Sequence, residues 1–327
     1  MDRRTRARRT SRRMFSILAT LGLMAGLVGF GTPSAQAVVP GANGRIVFTR
    51  ETCKPTCMYT IVAADANDTH ETLLAGPYPR DAYDDHFLAN WAPDGKSVIF
   101  MVNNGLWQVN ADGTGLHELF EPPAGTGVDD GPVFTPDGKH IVFTRCCPDG
   151  YGYSLWMINS DGTGLKDVTK EPLTTVDDGP ADTQPQVSPD GKHIAFNRCF
   201  PDQPCVVATV NINGSHLRQL TDNSLFQAIH PNWSPDSKKI VFEMQGDAID
   251  IATMNADGSG LTQLTFNAPG NFSRSPCYSP DGTKILFQHR PSTGGVDLFT
   301  MSLDGSGITQ VTRTPTDERE PEWAVAP

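Results

Sequence analysis

Side chains able to do chemistry gather at one recurring place in this 327-residue chain, a few residues ahead of an aromatic residue and a proline-containing turn. Asp84-Asp85-His86, Asp129-Asp130, and Asp177-Asp178 with Asp182 and Gln184 are the first three groups. His230, Arg274 and Arg319-Glu320 follow at the same place. Carboxylates, imidazoles and guanidiniums of this mixture could grip a polar or charged ligand, or hold a divalent ion for metal-assisted chemistry. Taken singly, each residue is better explained as part of a solvated loop on an acidic protein. Their repetition is what raises them, and Asp85, His86, Asp130, Asp182, His230, Arg274 and Glu320 form the candidate ligand-binding set.

Signatures of enzymatic chemistry are missing. There is no Gly-x-Ser-x-Gly elbow, no phosphate-cradling glycine loop and no His-Glu-x-x-His, since His70-Glu71 and His117-Glu118 lack the second histidine. No catalytic residue is assigned and no cofactor is expected, though a bound divalent metal ion stays open. The favoured reading is a non-catalytic binding scaffold, and the alternative is a metal-assisted lyase or hydrolase using the same residues. The Pro-Asp-Gly and Asn-x-Asp-Gly turns offer carboxylates beside glycine, but they lack the ligand spacing of a calcium loop and read as strand connections.

The elements that must position these residues come from an internal repeat. In Trp233–Thr265 an aromatic-Ser-Pro-Asp turn leads to the run Lys239–Phe242, a polar loop, a second run Ile249–Met254, the turn Asn255-Ala256-Asp257-Gly258 and a final short run. Asp-Gly between extended runs is a strong hairpin signal. Matching copies place anchor phenylalanines at 100, 143, 196, 242 and 287, steps of 43, 53, 46 and 45. A sixth copy is split: Gly44–Phe48 lacks an entry strand, and Glu320-Pro321-Glu322-Trp323 supplies one at the other end. Four strands per unit at this period predict an all-β, six-bladed propeller closed by the C-terminal strand pairing into the first blade. Entry strands line a propeller's central channel, so the polar residues ahead of them should converge at one mouth. The continuous apolar runs Ile141–Phe143 and Ile240–Phe242 fit sheets covered on both faces.

The repeat x-Pro-x-Trp-Ser-Pro-Asp-Gly-Lys-x-Ile-x-Phe, ending in Asp-Gly and Leu-Thr, resembles the WD40-like (PD40) repeat of TolB-type propellers across nearly all of residues 44–325. The resemblance implies an exported bacterial propeller serving as a binding scaffold, here without TolB's additional N-terminal domain.

Residues 1–37 read as an export signal and 38–327 as a single propeller domain. Seven arginines in the first thirteen positions precede an apolar stretch and Ala35-Gln36-Ala37. Ser11-Arg12-Arg13-Met14-Phe15 resembles a twin-arginine motif, with an ordinary secretory signal as the rival. No later stretch is apolar over the ~20 residues a membrane span needs. With seven of 26 Lys+Arg and one of 37 Asp+Glu inside the signal, the remainder carries 19 basic against 36 acidic side chains, near −17. That balance argues against nucleic acid and anionic membranes. It leaves a protein, peptide or cell-wall glycan as partner, a monomer as the expected state, and the periplasm, cell envelope or exterior as the location. Cys53/Cys57 and Cys199/Cys205 flank equivalent hairpin loops and read as disulfides in an oxidising compartment, with zinc as the rival. The pairing of Cys146 and Cys147 stays open, and Cys277 reads as a buried thiol.

Overall fold

A computed structural model describes residues 41–326 apart from 54, 68–69, 80–87, 124–127, 147–152, 171–178, 223, 225 and 293. The export segment, Asp85, His86 and Cys147 lie outside the described residues. No helix occurs among those described. The first sheet contains β1 (Asn43–Cys53), β2 (Cys57–Ala64) and β3 (Thr72–Pro79). The second contains β4 (Asn90–Trp91), β5 (Ser97–Val102), β6 (Gly105–Asn110) and β7 (His117–Phe120), and the third β8 (Val128–Phe134), β9 (His140–Cys146), β10 (Tyr153–Asn159) and β11 (Lys166–Asp167). Next come β12 (Ala181–Val187), β13 (His193–Cys199), β14 (Val206–Asn211) and β15 (Arg218–Gln219), then β16 (Gln227–Trp233), β17 (Lys239–Gln245), β18 (Ile249–Asn255) and β19 (Thr262–Gln263). The sixth sheet is β20 (Phe272–Tyr278), β21 (Lys284–Arg290), β22 (Asp297–Ser302) and β23 (Thr309–Gln310), and β24 (Asp317–Val325) ends the chain.

Each sheet is an antiparallel meander, and β24 joins β1 to complete the first, with Ile46 opposite Trp323 and Val47 opposite Glu322. The entry strands β4, β8, β12, β16, β20 and β24 touch in succession, and β24 touches β4. The ring is thereby closed through the two ends of the chain, so neither end leaves an unpaired strand at the seam. The second strands are buried on both faces, as the unbroken apolar runs predicted: Val98–Val102, Ile141–Phe143, Ile194–Phe196 and Ile240–Phe242 are at most 6% exposed. The anchors Phe48, Phe100, Phe143, Phe196, Phe242 and Phe287 are among the largest fully buried side chains.

Two devices repeat around the ring. At the Asx-Gly turn, glycine is held at positive φ, 82° at Gly113 and Gly258, where L side chains strain. A Cβ would also lie 2.7 Å from the carbonyl oxygen of Leu73, on the outer strand of the preceding sheet, or 2.9 Å from that of Leu220, directly after that strand. Glycine here lets neighbouring sheets meet backbone to backbone. The turn aspartates are consumed locally: Asp94, Asp137, Asp190, Asp236 and Asp281 each accept the amide two residues on. Asp112, Asp161, Asp257 and Asp304 accept both the amide and the hydroxyl of the following Thr or Ser.

The second device is a bulge in the entry strand, with two residues of that strand facing one of its partner. Gly131-Pro132, Gln184-Pro185, His230-Pro231, Ser275-Pro276 and Glu320-Pro321 each stand opposite the anchor phenylalanine of the adjoining strand. The residue before proline takes a left-handed backbone every time, φ 38° at Gly131 and 48–56° at the other four. Proline has no ladder donor to lose, so it is tolerated at a bulge in an otherwise paired strand.

Candidate channel site

Two of the candidate polar residues, His230 and Glu320, sit in the bulges themselves, and Asp182 and Arg274 lie just ahead of them. Sequence reading sets Asp182, His230, Arg274 and Glu320 ahead of the entry strands, where a solvated loop face was the plainer account. The structure places all four within the strands, and three of them are almost fully buried: Asp182 0%, Glu320 2% and His230 3% exposed. Arg274 keeps 22% of its side chain accessible. Asp130 lies in β8, opposite Thr144, and Asp85 and His86 fall outside the described residues.

Burying a charge is costly unless it is paired, and pairing is what surrounds these residues. Glu243, itself 0% exposed and immediately after the anchor Phe242, is the centre of one cluster. His230 Nδ1 lies 3.0 Å from Glu243 Oε2, in contact though off the line of a full hydrogen bond. Arg274 Nε lies 3.7 Å from Glu243 Oε1, and Gln245 Nε2 donates to the same oxygen at 2.5 Å. Burial pushes the His230 imidazole below its ordinary value and Arg274 adds to that, outweighing the attraction of Glu243. Burial alone would raise the Glu243 carboxyl, but its cationic and hydrogen-bonding neighbours hold it below the usual range. Both directions favour a neutral imidazole beside an ionised carboxylate. Both ring nitrogens are buried without a full hydrogen bond among the described residues, Nδ1 lying closest to Glu243. Arg274 reaches outward, its guanidinium 4.7 Å above the Phe272 ring that Arg290 also approaches at 4.8 Å.

Two further ion clusters include entry-strand residues. Arg198 Nε stands 3.6 Å from Asp182 Oδ1, both side chains buried. At the seam between the chain ends, Arg50 pairs with Glu318 at 3.0 Å and Glu71 at 2.6 Å, while Arg319 pairs with Glu51 at 2.6 Å and Asp317 at 3.0 Å. Burial raises the Glu318 carboxyl despite Thr314, Thr316 and Arg50.

Sequence reading overlooked the residues that tie the bulges together. Asn197, Glu243 and Gln288 each follow an anchor phenylalanine, and each accepts the bulge amide of the next sheet: His230 at 2.9 Å, Ser275 at 3.4 Å and Glu320 at 2.9 Å. The available signal was a polar residue recurring directly after an apolar run. The disulfides Cys53–Cys57 and Cys199–Cys205 are present, each within its own hairpin. Cys277 is a buried thiol that meets the Glu322 carboxylate, and burial followed by that carboxylate raises it well above the ordinary range. Cys146 is half-buried, and its relation to Cys147 lies outside the described residues. The one described grouping with metal-ligand spacing, Glu51 with Cys53 and Cys57, has its two sulfurs in the disulfide. No described helix is long and apolar enough to cross a membrane.

The PD40 family, described as the TolB beta propeller domain, matches residues 126–326. The chain belongs to the PD40 family. TolB from Acinetobacter baumannii superposes with a TM-score of 0.70 at 20% identity, over 86% of this chain and 66% of that one. Oligogalacturonate lyase from Vibrio parahaemolyticus superposes with a TM-score of 0.56 at 10% identity, over 87% of this chain and 78% of that one. At such identities these two likenesses concern the fold alone. The uncharacterized peptidase YuxL of Bacillus subtilis is 30% identical over 112 residues, which is 32% of this chain and 16% of that protein. This PD40 chain thus spans about a sixth of the length of that relative and about two thirds of the TolB structure.

Proposed function

We propose that this PD40 protein is an exported, non-catalytic propeller that binds a protein, peptide or cell-envelope component at the channel mouth. The observation carrying this reading is the placement of Asp182, His230, Arg274 and Glu320 on successive entry strands, with Arg274 alone among the four keeping substantial exposure. Asp130 and the preceding Asp85-His86 pair extend the same set. Concave sites with a few convergent polar groups are where ligands usually bind. The buried carboxylates and arginines hold the wall rigid, so a partner would meet a preformed surface. Residues 1–37 act as the export signal and the disulfides suit an oxidising compartment. Quantitative affinity purification from the envelope fraction, with wild type beside Arg274→Ala and Thr262→Ala, is the test. Loss of the same protein from Arg274→Ala alone is expected; equal recovery by all three would refute mouth binding.

A metal-assisted lyase or hydrolase is supported by one specific observation, the buried imidazole of His230 beside the Glu243 carboxylate, with neither ring nitrogen fully hydrogen-bonded among the described residues. Metal analysis of purified protein separates the readings. A stoichiometric divalent ion lost in His230→Gln favours the enzyme, and metal-free protein that retains its partner favours the scaffold.

A further inference from the structure

At the other end of the strands, away from the bulges, the fourth and fifth sheets enclose a groove of about 380 Å³ lined by Asp190, His193, Asn211, His216, Arg218 and Trp233, with Ser237 at its rim. The size suits a small ligand. Two departures from the repeat meet there. After the Asx-Gly turn, four units carry a second glycine at positive φ: Gly115, Gly164, Gly260 and Gly307, at 66–72°. The fourth sheet has His216 instead, at φ 57°. In the Pro-Asp-Gly turn, Gly95, Gly138, Gly191 and Gly282 sit at φ 66–70°, whereas the fifth sheet has Ser237 at 59°. A left-handed backbone strains any residue with a Cβ. A Cβ at Gly164 would also press to 2.6 Å on Asn159 Nδ2, the counterpart of the Asn211 amide that His216 Nδ1 meets at 3.0 Å. Both replacements place a polar side chain in the same groove, where the repeat elsewhere has none.

At two other sheet pairs the corresponding positions are bridged from within. Arg45, the counterpart of His193, donates to Ala111 O at 3.0 Å and Thr72 Oγ1 at 2.7 Å across the first and second sheets. The hydroxyls of Thr253 and Tyr278 meet at 3.1 Å between the fifth and sixth. In the groove the Ser237 hydroxyl accepts the Asp190 amide at 3.0 Å, and the His193 ring lies 6.3 Å from that of Trp233 at a 33° tilt. Arg218 spends one guanidinium nitrogen on Asp257 O at 2.7 Å. Asp190 also lines this space, one carboxylate oxygen accepting Ser188 Oγ and the Lys192 amide and the other lying 3.0 Å from the Lys192 ammonium, which leaves its remaining lone pairs for a ligand.

We propose that this groove binds one unit of a neutral saccharide. A neutral polyhydroxyl ring can use the carboxylate and amide as acceptors and the guanidinium, imidazoles and hydroxyls as donors at once. Its C–H face can pack on the half-buried His193 ring, which lies against the buried Trp233 indole. A free anion would meet Asp190, and an apolar ligand would leave these groups unpaired. The site is independent of the channel mouth. The test follows the Trp233 indole and the His193 and His216 imidazole resonances of the full protein by NMR during titration with glucose, galactose, mannose, N-acetylglucosamine and, separately, inorganic phosphate. At least one sugar should shift all three resonances saturably. His216→Gly and Ser237→Gly, which restore the repeat, should each keep the fold and weaken that sugar at least tenfold. No saturable sugar shift, a response to phosphate alone, or unchanged affinity in both glycine variants would overturn the proposal.

Discussion

His230 shows how much one residue's surroundings decide. At 3% exposure, against Glu243 and Arg274, it is a wall residue whose truncation would damage folding as well as binding. Arg274 is therefore the better probe of the mouth. Because burial lowers the folded imidazole value, the unfolded chain binds the proton more readily as pH falls through the ordinary value of 6.5. The His230 contribution is fully present above that pH and declines below it toward the depressed folded value. Glu243, also depressed, acts in the same direction at lower pH. Thermal melts should lose midpoint between about pH 6.5 and 5, and His230→Gln should flatten that part of the profile. A wild-type midpoint level over this range would contradict the neutral imidazole. A second residue-scale prediction concerns Gly258, whose Cβ would meet Leu220 O at 2.9 Å on a positive-φ backbone. Gly258→Ala should cost about 1–3 kcal/mol in denaturant unfolding. Gly246→Ala, with nothing within 4 Å, should stay within about 0.5 kcal/mol.

At the scale of elements, β24 carries the closure of the ring. Trp323 is 4% exposed, faces Ile46 across the seam and donates its indole N–H to Gly44 O at 3.1 Å. Trp323→Ala should lower stability by about 3–5 kcal/mol, a large part of the ~5–15 kcal/mol typical of a domain. Removing residues 317–327 should abolish cooperative melting; a truncated chain melting like the parent would show closure to be dispensable. The Cys53–Cys57 and Cys199–Cys205 bridges close short loops, so serine pairs there should cost less than the ~3 kcal/mol estimated for a 15-residue loop. The repeat period, the split first sheet and both hairpin disulfides were legible in sequence because turn chemistry and apolar runs are local signals. The extent of the entry strands was not. In Asp182–Pro185 and Glu318–Pro321, polar residues and proline look like strand breakers, yet a bulge opposite each anchor phenylalanine accommodates them. The role of Asn197, Glu243 and Gln288 was hidden for a related reason, since their partners are amides on the next sheet, 32–33 residues away.

For the whole molecule, six sheets in a ring give two faces with different chemistry. Buried ion pairs cluster on the entry strands beside the bulges, and the glycine turns bring neighbouring sheets together backbone to backbone. The central claim is that a partner engages the first face at the channel. Its most direct measurement is site-specific photocrosslinking in the native envelope, with a photoreactive residue replacing Arg274 at the mouth or Thr262 on the exposed outer strand, followed by mass spectrometry of the adducts. The account predicts a discrete adduct from position 274 and none from 262. A discrete adduct from 262 with none from 274 would contradict it and move the contact to the outer edge of the sheets.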